Sequence, residues 1–131
     1  MKSEKKGRFK MKEAIPICTC SFACPSMKDI DFAELSERIR LEIPEATYMV
    51  LHPRICEKNA EEMMADLLKE GVKYFTVACK PERQEKLLRD GFQKAGVAME
   101  KDRNWVPISV QFKNTNQVFE EVEKVLKEGG E

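Results

Sequence analysis

Apolar positions along the chain follow two rhythms, and the rhythms alternate. Short apolar or β-branched runs occur at Ala14–Cys18, Thr47–Leu51, Lys73–Cys79 and Val106–Phe112, and each reads as a strand. Between and after them, apolar residues recur at helical spacing. Phe32, Leu35, Ile39 and Ile43 form one stripe, capped by Asp29 or Asp31 and stopped by Pro44. Ala60, Met63, Met64, Leu67 and Leu68 form a second, with Asn59 as the cap and Gly71 as the stop. Leu87, Leu88, Phe92 and Ala95 form a third, entered through Pro81 and closed at Gly96. Val118, Phe119, Val122, Val125 and Leu126 form the last, capped by Asn114 or Thr115. Pro16 weakens the first strand and is expected at a strand start or sheet edge.

Four βα units with short connections predict an α/β fold, since parallel strands need crossover connections and bury both faces. Right-handed crossovers then give a doubly wound, three-layer αβα sandwich of flavodoxin- or Rossmann-like type. Its mostly parallel four-stranded sheet is expected in the order 2-1-3-4. The 131 residues fit one domain, expected over 13–131, behind a basic flexible arm over 1–12. That arm holds six of the 23 basic residues and one of the 23 acidic, leaving 17 against 22 for the rest. The balanced total gives no reason to expect nucleic acid. No apolar run approaches the ~20 residues needed to cross a bilayer, and no apolar segment backs the basic N-terminus. These features predict neither membrane partner nor secretory signal, and a cytoplasmic location.

The five cysteines change the picture. Cys18 ends strand one, and Cys20 and Cys24 occupy the loop behind it. Cys56 falls in the loop after strand two, and Cys79 ends strand three. All five therefore sit at the carboxyl edge of the sheet, where open α/β sheets bind ligands at the switch in strand order. A lone cysteine is often plain core; five on one edge, from three loops, point to a site. No cysteine has Arg six residues on, so there is no phosphate-binding nucleophile loop. No Gly-x-Gly-x-x-Gly follows strand one, so no flavin or nucleotide is expected in this chain. His52 is the only histidine, which excludes a two-histidine Rieske centre; it reads as structural or as a hydrogen-bond donor. A domain with a complete core has no need of structural zinc. Sulfur ligation of an iron–sulfur cluster remains, beside a thiol–disulfide redox pair and a cluster-less binding domain of the same fold. Without a cluster, the segment from Cys20 to Lys28, anchored by Phe22 and Met27 alone, is expected to be the most mobile internal loop or to be pinned by a disulfide.

The same residues carry a family resemblance. CTC near the N-terminus, RIC before an acidic helix ending in Leu-Lys-Glu-Gly, and VACKPERQEKLLRDGFQKAGV resemble the N-terminal domain of the heterodisulfide reductase A subunit. With the tail WVPISVQ…VFEEVEKVL, the chain is also similar to the delta iron–sulfur subunit of the associated hydrogenase. The likeness runs from about Ala14 to Leu126. It implies an iron–sulfur electron-transfer module of the methanogenic type, a redox subunit rather than a complete enzyme. The ligands implied are Cys18, Cys20, Cys56 and Cys79, with Cys24 as the alternative, around a [4Fe–4S] or [2Fe–2S] cluster. The implied partner is a redox protein: a flavoprotein, a hydrogenase or a ferredoxin-type carrier. The chain departs from the family pattern at Ser21 (for glycine), at Lys80 (for serine) and in the extra Cys24.

Overall fold

A computed structural model describes residues 11–20 and 25–129. Four strands, β1 (Lys12–Cys18), β2 (Tyr48–His52), β3 (Val72–Ala78) and β4 (Trp105–Ser109), alternate with α1 (Phe32–Glu42), α2 (Lys58–Leu67), α3 (Pro81–Ala95) and α4 (Thr115–Gly129). Every strand pair is parallel, and the order is β2-β1-β3-β4. The chain is thus the α/β sheet with flanking helices that its periodicity predicts.

Strand alternation sorts the core into two layers. Ile15, Ile17, Phe75 and Val77 face α1 and α4, packing against Leu35, Ile39, Val118 and Val122. Ala14, Cys18, Tyr74 and Ala78 face α2 and α3, against Ala60, Met64, Leu88 and Phe92. Gly91 sits where α2 and α3 approach closely: a Cβ there would lie 3.0 Å from the Met64 sulfur. On the other face, the Asp31 N–H donates to Thr115 Oγ1 at 2.8 Å, and the Arg38 guanidinium lies 3.9 Å from the Phe119 ring centroid.

The helix ends follow local chemistry. Asp31 caps α1 by accepting from the Glu34 N–H at 3.0 Å. Asn114 and Gln117 cap α4 reciprocally, each side chain accepting from the other's N–H. Gly96 ends α3 in the left-handed conformation at φ 78. Helix α2 departs from expectation at both ends, starting after Glu57 rather than Asn59 and stopping at Leu67, before Gly71. The cause of the early stop is Tyr74, whose hydroxyl donates to Leu67 O (2.9 Å) and accepts from Lys69 N–H (2.8 Å). Two backbone groups that another helical turn would use are thereby taken.

Two strand expectations need correction. Pro16 lies inside β1, a central strand, and not at an edge. The sheet accommodates it by interrupting the β1–β3 pairing over Ile15 and Pro16, while Ala14 and Ile17 remain paired. Strand β4 ends at Ser109 instead of Phe112, because its partner β3 runs out at Ala78. The Val110 N–H takes the last bond, to Ala78 O at 2.8 Å, and the chain then turns. Of the expected basic arm, residues 1–10 lie outside the described residues, and Lys12 already belongs to β1. Among the described residues no helix is long and apolar enough to cross a membrane.

Burial pushes the Tyr74 hydroxyl from its ordinary 10.0 up to about 12. The folded state holds this proton more tightly than the unfolded chain, so the stabilisation is complete below pH 10 and is lost as pH rises toward 12. Tyr74→Phe is expected to cost about 1–2 kcal/mol at neutral pH through the two lost bonds. Denaturant unfolding of both proteins should show the gap narrowing between pH 10 and 12.

Candidate metal centre

Parallel pairing sets where the βα loops go. Cys18 lies opposite His52 in the β1–β2 ladder, and Ile17 lies opposite Val77 in the β1–β3 ladder. The loops after β1, β2 and β3 therefore leave one edge side by side. Between them lies a cavity of about 280 Å³ lined by Cys18, Cys20, Cys56 and Cys79, together with Arg54, Lys80, Arg83 and Gln111. Met27, Ile55 and Leu87 complete its apolar wall. Cys18 is buried, Cys20 and Cys79 are half-buried, and Cys56 is exposed. Cys24 lies outside the described residues, as does residues 21–24 of the loop expected to be mobile. Beyond that gap, Pro25–Met27 form one turn of 3-10 helix, and Met27 is buried in the core.

Each loop is held by its own hydrogen bonds. After β1, the Thr19 N–H donates to His52 O at 3.0 Å. Cys20 follows with left-handed backbone, φ 51, a strained state for a side-chain-bearing residue. After β2, the Arg54 N–H donates to His52 Nδ1 at 3.0 Å, and the Glu57 N–H to Arg54 O at 3.2 Å. His52 thus has the structural role that was one of its two expected readings: its ring accepts from the backbone and folds the turn that carries Cys56. After β3, Cys79 lies one residue past the strand end rather than being its last residue. The Gln84 amide donates to Cys79 O at 2.7 Å and to Ile108 O at 3.1 Å. Its oxygen accepts from the Thr76 hydroxyl, which in turn accepts from the Trp105 indole N–H at 2.9 Å. Gln84 is fully buried, so this chain of bonds ties the Cys79 turn to β3, β4 and α3 inside the core.

The charges around the thiols are uneven. The Arg54 side chain hydrogen-bonds to Cys20 and lies near Cys56, and both contacts hold its pKa above the usual guanidinium value. Burial pushes the Cys79 thiol above its ordinary 9.0, Arg83 opposes this, and Cys18 and Cys56 as like charges add to it. Helices α2 and α3 each begin two residues after a cysteine, Cys56 and Cys79, and neither N-cap side chain bonds to the first turn. The positive ends of two helix dipoles therefore stand beside the thiols.

Among the described residues, no three Cys, His, Asp or Glu side chains converge as they would on a single metal ion. Thiolates sharing one zinc stand only about 4 Å apart. Sequence reasoning does not single out Arg54, Arg83 or Gln84, and it names Lys80 only as a departure from the family pattern. The basic residues do carry a signal, since they flank cysteines in RIC and CKPER. Gln84 carries another: it opens the i, i+4, i+8 stripe that continues in Leu88 and Phe92, a polar residue at a core position.

Replacing Gln84 by Leu should leave Thr76 and two carbonyls without their partner and cost about 2–3 kcal/mol by denaturant unfolding. The Cys79 thiol should also react faster with a maleimide probe in the metal-free chain. Equal stability and equal labelling would show that the network does not hold this turn.

No protein-family model matches the chain and no curated protein is significantly similar to it, so its functional reading rests on its own residues.

Proposed function

We propose that Cys18, Cys20, Cys56 and Cys79 hold an iron–sulfur cluster, and that the chain is an electron-transfer domain of a heterodisulfide reductase-like redox complex. The observation that carries this reading is the cavity itself: four cysteines, one at the end of β1 and three in the loops after β1, β2 and β3, line it, with three basic side chains and no acidic one among the described residues. The cluster would supply a one-electron couple. The chain's part is to bind, shield and bias it. Cys79 gives up a proton held above the ordinary thiol value, which makes loading favour higher pH. Arg54 donates toward Cys20, and such hydrogen bonds to sulfur raise a cluster's potential. Lys80 and Arg83 offset the negative charge of four thiolates, as do the two helix N-termini. The partner would be a flavoprotein, hydrogenase or ferredoxin-type protein, in a reducing compartment such as the cytoplasm.

A thiol–disulfide redox role is the second reading, and the Arg54–Cys20 contact favours it, since a cation beside a thiol promotes the thiolate. Cysteine variants separate the two. In protein purified without oxygen, Cys18→Ser, Cys20→Ser, Cys56→Ser and Cys79→Ser should each remove the visible absorption while the far-ultraviolet circular dichroism persists. Cys24→Ser should stay coloured. Loss of colour in Cys24→Ser with colour kept in Cys18→Ser would move the ligand set to Cys20, Cys24, Cys56 and Cys79. A colourless parent with one cysteine pair essential for disulfide exchange would establish the second reading.

A further inference from the structure

The cavity mouth differs in charge from the rest of the molecule. Residues 13–131 hold 17 basic against 22 acidic side chains, once the six and one of residues 1–12 are set aside. The mouth reverses this, with Arg54, Lys80 and Arg83 exposed and no carboxylate among the described residues that line it. Glu57 stands 3.9 Å from Arg54 with both side chains about half exposed, a contact that water and salt weaken. The adjoining cleft, which shares Ile55, Cys56 and Leu87, sets Glu57, Glu61 and Asp90 against the single basic Lys58. The positive patch is therefore small, bounded and centred on the thiols.

A second observation lies beside it. Phe112 is 84 % exposed, the most exposed large apolar side chain among the described residues. Its backbone is left-handed at φ 60, uncommon for a bulky residue and costly enough to need support from its surroundings. That support is visible: the Lys113 N–H closes the turn onto Val110 O at 3.3 Å, and Lys113 Nζ donates to Ser109 O at 2.9 Å and pairs with Glu121 at 2.7 Å. Gln111, the preceding residue, lines the cavity. The fold spends backbone strain to hold an aromatic ring in water next to a basic opening.

We propose that this mouth, with Phe112 at its side, is the docking face for a small acidic electron-carrier protein. The inference rests on the redox reading above and adds the partner's chemistry. Basic groups around the opening steer an acidic surface toward the thiols and set its orientation. Phe112 supplies the apolar anchor that a small, short-lived interface needs near its centre. Across the rest of residues 13–131 the surplus of carboxylates disfavours an acidic partner.

The test is isothermal titration of the full chain with an acidic [2Fe–2S] ferredoxin as the probe, at low and high salt. One-to-one binding is expected, weaker by about tenfold or more when salt rises past the point where the screening length falls to about 5 Å. The double variant Lys80→Glu/Arg83→Glu should lose about tenfold at low salt and little at high salt. Phe112→Ser should lose several-fold at both, with the salt dependence unchanged. Both variants should keep the parent's melting temperature. Absence of saturable binding overturns the proposal, and so does binding that neither variant alters. Tighter saturable binding of a single-stranded oligodeoxythymidine that competes with ferredoxin also overturns it, in favour of a nucleic-acid face. Visible absorption is recorded on every sample. A colourless chain that binds in the expected pattern retains the docking face and loses the cluster; a coloured chain without the pattern does the reverse.

Discussion

Parallel pairing of β1 with both β2 and β3 is the constraint from which the site follows. A parallel neighbour is reached only by crossing back over a sheet face, so every βα loop leaves from the same edge. With β1 between β2 and β3, the three loops that carry cysteines become neighbours although Cys18 and Cys79 are 61 positions apart. The strand order reverses at β1, and the divergence of the helices on the two faces opens the cavity there. An order placing β4 between β1 and β3 would have separated Cys79 from the rest.

The scaffold does not depend on what the cavity holds. Both faces of the sheet bury continuous apolar layers, and the helix ends are closed by Asp31, Asn114, Gly96 and the Tyr74 hydroxyl. The loops are built differently. They are shaped by single hydrogen bonds onto the sheet: His52 for the second loop, and Gln84 with Thr76 and Trp105 for the third. Rigid elements thus carry the stability, while a few polar contacts fix where the thiols stand. That division lets a binding site occupy the edge without being needed for folding.

The sheet and its order were readable in the sequence because periodicity reports burial directly. Phe32, Leu35 and Ile39, or Val118, Val122 and Val125, follow the i, i+3 or i+4, i+7 spacing of a helix face. Boundaries set by distant partners were not readable. Helix α2 ends early because of Tyr74, which lies on the next strand, and β4 ends early because β3 offers nothing beyond Ala78. Pro16 looked like an edge residue because a ladder missing one donor is normally peripheral; here the neighbouring pairing yields instead. Cysteine positions were readable as soon as strands were assigned, since topology alone sends their loops to one edge. The residues that position the site were not: Gln84 meets Ile108 across 24 positions, and that contact exists only once β3 and β4 have paired.

The central claim is that three loops of one sheet edge converge on a single sulfur-bound cluster. Mössbauer spectroscopy of the full chain, reconstituted without oxygen with iron-57 and sulfide, tests it most directly. The account predicts spin-coupled iron in tetrahedral sulfur coordination, with iron and acid-labile sulfide in equal amounts. Iron found only as uncoupled single ions, or no iron retained after desalting, would contradict it.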